Sequence, residues 1–414
     1  MRECYAVIDL KSFYASCECA SRGLDPFTTP LIVADPTRTE ATIIMSATPF
    51  LKKLYKIPNV CRVKDIPQVP GIIFAQPRMA YYVEMSAKVV SILLDYFDLE
   101  DIHIYSVDES FVYLSPYLSL YNKTPEEIIV MVQKRIMDEL GILSTAGIGP
   151  NMFMAKVCLD NEGKKAPPYY AVWTEKDVQT KLWDISPLTS IWGINVGISS
   201  HLERIGIRNM KALATVDDEI LKKEFGIIGL QLKDLANGID VADIRKKYVP
   251  KERHLNIGQV LIRDYTKQGA KIVLKEMCDD LCLRLRLSQQ KTGCVAVYVM
   301  YSSAVGGTFS KQCSLDIASD NNDALFATIS RLYDKYVIEA PIRRLGITFN
   351  KLTPYNFKQM SIFESENGEH SDSYYQAIDH IQHKYGKNAI LRMSSLLEDS
   401  TIKERHSQIG GHKA

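Results

Sequence analysis

Apolar and polar positions along the chain follow two periods, and the two take turns. Residues 4–9 (Cys-Tyr-Ala-Val-Ile-Asp) are an apolar run closed by an acid, the pattern of a buried strand. Over 79–97 the apolar positions Tyr82, Met85, Val89, Ile92, Leu93 and Tyr96 recur at helical spacing. Two strand-like runs, 102–107 and 110–114, are separated only by Asp108-Glu109, a hairpin-sized gap. A helix fits 125–140 and a strand 142–148, after which Gly149-Pro150 predicts a helix starting at the proline and running through Leu159. Residues 163–170 (Gly-Lys-Lys-Ala-Pro-Pro-Tyr-Tyr) read as a boundary. Short helices punctuated by glycines fill 177–240, and a charged linker spans 241–254. From there the order is strand, helix (269–288), strand (293–301), strand (308–315), helix (322–337), strand (342–350), enough for a four-stranded sheet backed by two helices. Beyond 353 the chain is polar and acidic, with one more helical stretch near 374–399. The expectation is a multidomain α+β protein.

Length supports that division, since 414 residues exceed a single typical domain. Nothing at the N-terminus reads as a signal peptide, and no run of about 18 uncharged apolar residues suggests a membrane span. The nine cysteines are odd in number and never spaced CxxC. That usage suits a reduced cytoplasmic compartment and argues against a disulfide framework or a zinc ribbon. The net charge of +1 hides a segregation. Residues 1–240 carry 25 Lys+Arg against 30 Asp+Glu, whereas 241–352 carry 18 against 11, and 353–414 carry 7 against 8. A basic module beside an acidic one can grip phosphates and still hold metal ions.

The chemistry concentrates on carboxylates. Asp9 ends the first strand, and Asp108 and Glu109 share the tight turn between two others. If those strands are neighbours, three anions converge, and divalent cations between them relieve the repulsion. Two Mg²⁺ ions on oxygen ligands are the usual solution for nucleotidyl transfer. Three segments then resemble the ordered signatures of the Y-family translesion DNA polymerases: Asp9-Leu-Lys-Ser-Phe-Tyr-Ala-Ser-Cys-Glu18, Ser106-Val-Asp-Glu-Ser110 and Gly147-Ile-Gly-Pro-Asn-Met-Phe-Met-Ala-Lys156. The resemblance covers essentially the whole chain and is strongest to the UmuC-type mutagenesis branch, of the Gram-positive or mobile-element kind.

That resemblance implies a right-hand polymerase: palm from 1–10 and 76–165, small fingers from 11–75, a helix-hairpin-helix thumb from 166–240, an α/β little finger from 241–352 and a clamp-binding tail from 353–414. Asp9, Asp108 and Glu109, with the Leu10 carbonyl, become ligands for two Mg²⁺ ions, and Lys156 becomes a triphosphate contact. Tyr14 or its neighbour Phe13 becomes the steric gate beneath the incoming sugar, motif alignment favouring Tyr14. Where the family often has a Tyr-x-x-Arg clamp on the triphosphate, this chain has Phe50 and Lys53, with Lys52 as the alternative to Lys53. Phe lacks the hydroxyl and Lys the bidentate fork.

Ile191-Trp-Gly-Ile-Asn-Val-Gly197 and Phe225-Gly-Ile-Ile-Gly229 resemble two helix-hairpin-helix turns, whose glycines Gly193, Gly197, Gly226 and Gly229 suit phosphate binding at bared N–H groups. Asn195 stands where such turns usually have their second glycine, and Asn tolerates the left-handed conformation. In the basic module Arg284, Arg286, Lys311, Arg343 and Arg344 are candidate backbone contacts. Gln359-Met-Ser-Ile-Phe363 resembles the peptide that binds the β sliding clamp, with Gln359, Ile362 and Phe363 as anchors. The implied activity is DNA-directed DNA polymerisation: error-prone translesion synthesis in DNA repair and SOS mutagenesis, with no segment left for proofreading. Primer-template DNA, deoxynucleoside triphosphates and the clamp are the implied partners. The UmuC likeness adds an accessory mutagenesis subunit, and the implied location is the cytoplasm, at the nucleoid. Two rivals remain from sequence: a palm-type nucleotide cyclase, which has no use for tandem hairpins or a clamp peptide, and a non-catalytic DNA- and clamp-binding scaffold, which would not need all three acids.

Overall fold

The computed structural model describes residues 3–35, 42–58, 60–67, 70–246, 249–250, 252–355 and 368–414, the last stretch as helix backbone alone over 368–373. The chain divides into two compact units, 1–247 and 248–413.

The first unit is built on a five-stranded sheet in the order Ile102–Ile104, Glu109–Tyr113, Tyr5–Leu10, Ser144–Gly149, Tyr170–Val172. All neighbours are antiparallel except the last, which runs parallel to Ser144–Gly149. The sheet thus runs past residue 165, where the sequence suggested the palm segment ends, because Gly163 passes close enough to Ala146 O to return the chain alongside that strand. Period-two alternation divides the central strand. Ala6, Ile8 and Leu10 face a core completed by Phe13–Ala20, Met79–Leu94 and Pro125–Leu140, while Tyr5 and Val7 face the opposite side with Phe111 and Tyr113. Pro125–Leu140 matches its predicted bounds because Thr124 and Glu127 form a capping box and Gly141 ends the helix at φ 66°.

On that opposite side lies the helix Met152–Cys158. The proline at 150 does not start it. Asn151 caps it, accepting a hydrogen bond from Met154 N–H at 2.8 Å, and Asp240 accepts from Phe153 N–H at 3.1 Å. The helix can lie this low because the strand beneath carries Gly147 and Gly149. A Cβ on Gly147 would stand 2.2 Å from Ala155 O, and one on Gly149 would stand 2.6 Å from Ala155 N. A π-helical turn, Leu159–Gly163, follows directly.

A three-stranded sheet, Ser46–Ala47, Leu31–Val33 and Ile73–Ala75, packs with the helix Pro49–Tyr55 around its own small core of Ile32, Ala34, Ile44, Ala47, Leu51 and Ile57. Four short helices, Val196–Arg204, Met210–Thr215, Asp218–Phe225 and Ile227–Ala236, gather around Leu202, Met210, Leu213, Leu221 and Leu232.

The second unit is an antiparallel sheet in the order Thr308–Ser319, Gln290–Tyr301, Ile342–Pro354, Leu255–Tyr265. The helices Lys267–Leu287 and Asn322–Tyr336 cover one face, against Val295, Val297 and Val299. The opposite face leaves Val260 and Ile262 exposed. The helix expected near 374–399 is Gly368–Tyr385, which stops well short of 399 because Gly386 takes φ +93°. Residues 392–406 instead dock on the acidic face of Lys267–Leu287. Asp279 takes Arg392, Asp280 takes Arg405 and His406, and buried Glu276 accepts from Ser400 Oγ at 2.5 Å and Thr401 N–H at 3.2 Å. Two tyrosines meet one corner of this unit: Tyr355 OH donates to Asp320 and Tyr375 OH to Asp323, both at 2.5 Å.

Candidate active site

The apolar side of the five-stranded sheet that Met152–Cys158 covers ends in acids. Cross-strand pairing sets Tyr5 opposite Tyr113, Val7 opposite Phe111 and Asp9 opposite Glu109. Two carboxylates therefore occupy the last rung of an otherwise hydrophobic ladder. Asp108 precedes Glu109, and its carbonyl accepts from Leu10 N–H at 2.9 Å, which closes the turn onto the end of the first strand. Ser106 Oγ donates to Asp108 Oδ1 at 2.7 Å.

Lysines face these acids. Lys156 Nζ lies 2.5 Å from Glu109 Oε1 and 3.1 Å from Asp160, and Lys164 Nζ lies 2.9 Å from both Asp9 and Asp160. Lys11 Nζ donates to the Lys164 carbonyl at 2.6 Å. Burial raises the Asp9 carboxyl above its ordinary value, with Asp108 adding to the effect and Lys164 opposing it. Burial does the same to Glu109, partly offset by Lys156. Burial alone would lower Lys164, but Asp9 and Asp160 carry it above the usual lysine value.

Among the described residues no three His, Cys, Asp or Glu side chains stand together as a ready-made metal cage. The donor chemistry nevertheless fits a hard divalent cation. Mg²⁺ is commonly held by one or two carboxylates plus substrate phosphates. Glu109 Oε1 is buried with Lys156 Nζ 2.5 Å away, and a carboxylate oxygen can accept from more than one partner.

Around this centre the structure sorts the sequence candidates. Phe13 is a core side chain, 2% exposed, so it offers no surface to a substrate. Tyr14 is half-buried, its ring 4.8 Å from that of Tyr82, and burial followed by Asp108 raises its hydroxyl pKa. Lys53 is exposed on Pro49–Tyr55, whereas Lys52 is half-buried, with its pKa lowered by burial and opposed by the attraction of Asp9. Of the two, Lys52 is the more buried and is the one influenced by Asp9, while Lys53 is exposed to solvent. Phe50 packs on the small core, its ring 6.5 Å from Tyr55.

In the first hairpin Gly193 takes φ +90°, but Asn195 is not left-handed. Its φ is −83°, and its side chain caps Val196–Arg204 by accepting from Ile198 N–H at 2.9 Å. Gly197 sits in the first turn of that helix. In the second hairpin Gly226 takes φ +63°, and a Cβ on Gly229 would stand 2.5 Å from Leu221 O, so close helix packing accounts for that glycine. Val196 and Ile227, at the two tips, are each 72% exposed.

Among the basic-module candidates Arg286 is withdrawn. Its guanidinium pairs with both oxygens of Asp379 at 2.5 and 2.9 Å and donates to Asn322, with the side chain only 10% exposed. Arg284, Lys311 and Arg344 remain exposed, and Arg343 lies 3.6 Å from Asp264. Gln359, Ile362 and Phe363 lie outside the described residues.

The sequence reading missed Lys164 and Asp160. Lys164 fell in a stretch whose Gly and Pro content reads as a linker. The available signal was the charge stripe Lys156, Asp160, Lys164 at intervals of four.

A carboxylate pair at a sheet end, faced by lysines and followed in the chain by a basic α/β unit, has the form of a nucleotidyl-transfer site in a palm-type polymerase. The impB/mucB/samB family matches residues 8–160, and that family's C-terminal domain matches 257–362. The putative UV-damage repair protein UvrX of Bacillus subtilis (strain 168) is 32% identical over 409 residues, covering 98% of this chain and 97% of that protein. DNA polymerase IV 2 of the same organism is 30% identical over 412 residues, covering 98% of each. The chain belongs to the impB/mucB/samB family of UmuC-like, Y-family polymerases. A solved Y-family DNA polymerase chimera, Dbh-Dpo4(243-245)-Dbh, shares the fold at a TM-score of 0.67 and 18% identity, over 85% of this chain and 99% of that one. Enzymes of this family generally use a divalent metal. No helix among the described residues is long and apolar enough to cross a membrane.

Proposed function

We propose that this chain is a DNA-directed DNA polymerase that performs translesion synthesis in DNA repair, with primer-template DNA and deoxynucleoside triphosphates as substrates. The observation that carries the reading is the last rung of the ladder, Asp9 opposite Glu109 with Asp108 adjacent, in a chain so similar to DNA polymerase IV 2. Asp9, Asp108, Glu109 and the Leu10 carbonyl are the residues that would hold two Mg²⁺ ions. When bound, such ions lower the pKa of the attacking 3′-hydroxyl and neutralise the triphosphate and its leaving pyrophosphate. Lys164, Lys156 and Lys52 supply fixed positive charge where phosphate oxygens arrive, and as point charges they tolerate a mobile triphosphate. The assignment of palm, fingers, thumb, little finger and tail set out from the sequence belongs to the same proposal, with Tyr170–Val172 added to the palm. Error-prone synthesis, a part in SOS mutagenesis and an accessory mutagenesis subunit rest on the family resemblance. The test is primer extension on an undamaged template by the full chain. Mg²⁺-dependent addition supports the polymerase, whereas DNA binding without addition returns the scaffold reading.

Tyr14 is proposed as the steric gate. It is the half-exposed ring of the pair, and Tyr82 limits its retreat. Tyr14→Ala raises the ratio of ribonucleotide to deoxyribonucleotide incorporation by at least about ten-fold, the scale of a steric contact of one to three kcal/mol. An unchanged ratio in single-turnover insertion assigns the gate elsewhere.

Gln359-Met-Ser-Ile-Phe363 is proposed as the clamp peptide on sequence grounds. Tethering raises effective concentration at the primer end without new contacts in the active site. Ile362→Ala with Phe363→Ala therefore leaves single-nucleotide insertion near normal and removes clamp-stimulated extension of long templates. A double variant that responds to clamp like its parent refutes the assignment.

A further inference from the structure

Glu109, Lys156, Asp160, Lys164 and Asp9 form a chain of alternating charge, with contacts of 2.5, 3.1, 2.9 and 2.9 Å in that order. Its two ends are the opposed acids of the sheet. The three inner members stand on one stripe, Lys156 on Met152–Cys158 and Asp160 within the π-helical turn that precedes Lys164. Four of the five have a place in the reading above, and Asp160 has none. It contacts both lysines, and its side chain is 30% exposed, half turned to solvent beside the site.

We propose that Asp160 is a positioning residue, the anion onto which Lys156 and Lys164 are handed when a divalent cation takes Asp9 and Glu109. The argument is one of competition. Without metal, the two ammonium groups neutralise the two buried acids. A cation entering that space must displace them, and a displaced lysine near a dication is repelled unless an anion lies within reach. Asp160 already holds each lysine by one contact, so each can leave its acid without losing all its pairing. The same contacts keep the lysines beside the site for the incoming phosphate oxygens. With a neutral side chain at 160, Asp9 and Glu109 become the lysines' only paired anions among the described residues, and the lysines compete harder with metal.

This inference rests on the proposal that Asp9 and Glu109 bind a divalent cation, and the experiment separates the two. The probe is Mn²⁺, titrated into the metal-free full chain without DNA or nucleotide, with free ion followed by electron paramagnetic resonance. Asp160→Asn is near-isosteric and is expected to weaken Mn²⁺ binding roughly five-fold, the scale of one lost, partly exposed charge pair. Lys164→Gln removes a competitor and tightens binding relative to the parent. The double variant Asp160→Asn with Lys164→Gln recovers parental affinity or better, a rescue that a merely structural role for Asp160 does not produce. Asp9→Asn is the control: if it leaves Mn²⁺ binding intact, the metal reading fails and the Asp160 inference falls with it. If Asp9→Asn abolishes binding while Asp160→Asn binds like the parent, or Lys164→Gln gives no rescue, only the role of Asp160 is overturned.

Discussion

Replacing Glu109 by Gln reduces primer extension by about a thousand-fold or more while primer-template affinity stays within a few fold. The magnitude follows from what the residue would hold. Loss of a metal-centred stabilisation of about 4 kcal/mol corresponds to roughly three decades in rate at about 1.4 kcal/mol per decade. Single-turnover incorporation with saturating nucleotide measures it, and near-parental extension by Glu109→Gln removes the residue from the metal site. Burial raises the Glu109 carboxyl, so its ionised form is more costly in the folded chain than in the unfolded one. A carboxyl shifted upward makes its best contribution to stability below its unfolded value, and that contribution is lost as pH rises through the shifted value. Asp9 is shifted in the same direction. Thermal unfolding of the parent should therefore show a component that weakens as pH rises through the shifted values, and Glu109→Gln should reduce it. Function here is bought with stability.

Arg78→Ala should destabilise the first unit by about 3 kcal/mol, the lower end for a buried ion pair deprived of one partner. Glu18 is fully buried on Phe13–Ala20. Arg78 grips both its oxygens at 2.8 and 3.0 Å, Tyr82 OH donates at 2.8 Å, and Arg22 completes the set. Removing Arg78 leaves that carboxylate to Arg22 and Tyr82. The lower figure is chosen because Arg78 is 43% exposed and solvent already screens part of its charge. The pH dependence has the opposite sign to that of Glu109. Burial opposes ionisation of Glu18, yet hydrogen bonds from Arg78, Arg22 and Tyr82 hold its carboxyl below the ordinary value. Its stabilisation is present above the unfolded value and is lost as pH falls through the lowered one. In Arg78→Ala the acid-side loss should begin at a higher pH. A melting temperature within 2 °C of the parent across that range would show that the pair is not structural.

The legible parts of the fold and the illegible ones differ in kind. Pro125–Leu140 could be read because both its ends carry local chemistry, a capping box at one and a glycine at the other. The second unit's element order was likewise legible from strand and helix periods that do not depend on distant partners. Lys52 and Lys53 could not be told apart, since a helix as short as Pro49–Tyr55 has too few apolar positions to fix its phase. The conformation of Asn195 was open, because the same side chain suits a left-handed turn and a helix cap, and only the neighbouring N–H decides. Arg286 looked like a surface cation because its partner Asp379 lies 93 residues away, and sequence spacing carries no trace of such a pair. The acids Asp9, Asp108 and Glu109 were legible as a set. The opposition of Asp9 and Glu109 across one rung, and Lys164 beside them, needed strand register and a π turn.

The corner where Tyr355 meets Asp320 and Tyr375 meets Asp323 bears on how the proposed clamp peptide would act as a mechanical link. Gln359 to Phe363 fall between these two tyrosines in the chain, and both tyrosines are fastened within one turn of the same helix start. Whatever path the intervening residues follow, tension that a clamp applied to them would be delivered at one corner of the second unit. A load shared by two adjacent anchors resists peeling better than one carried by a free end.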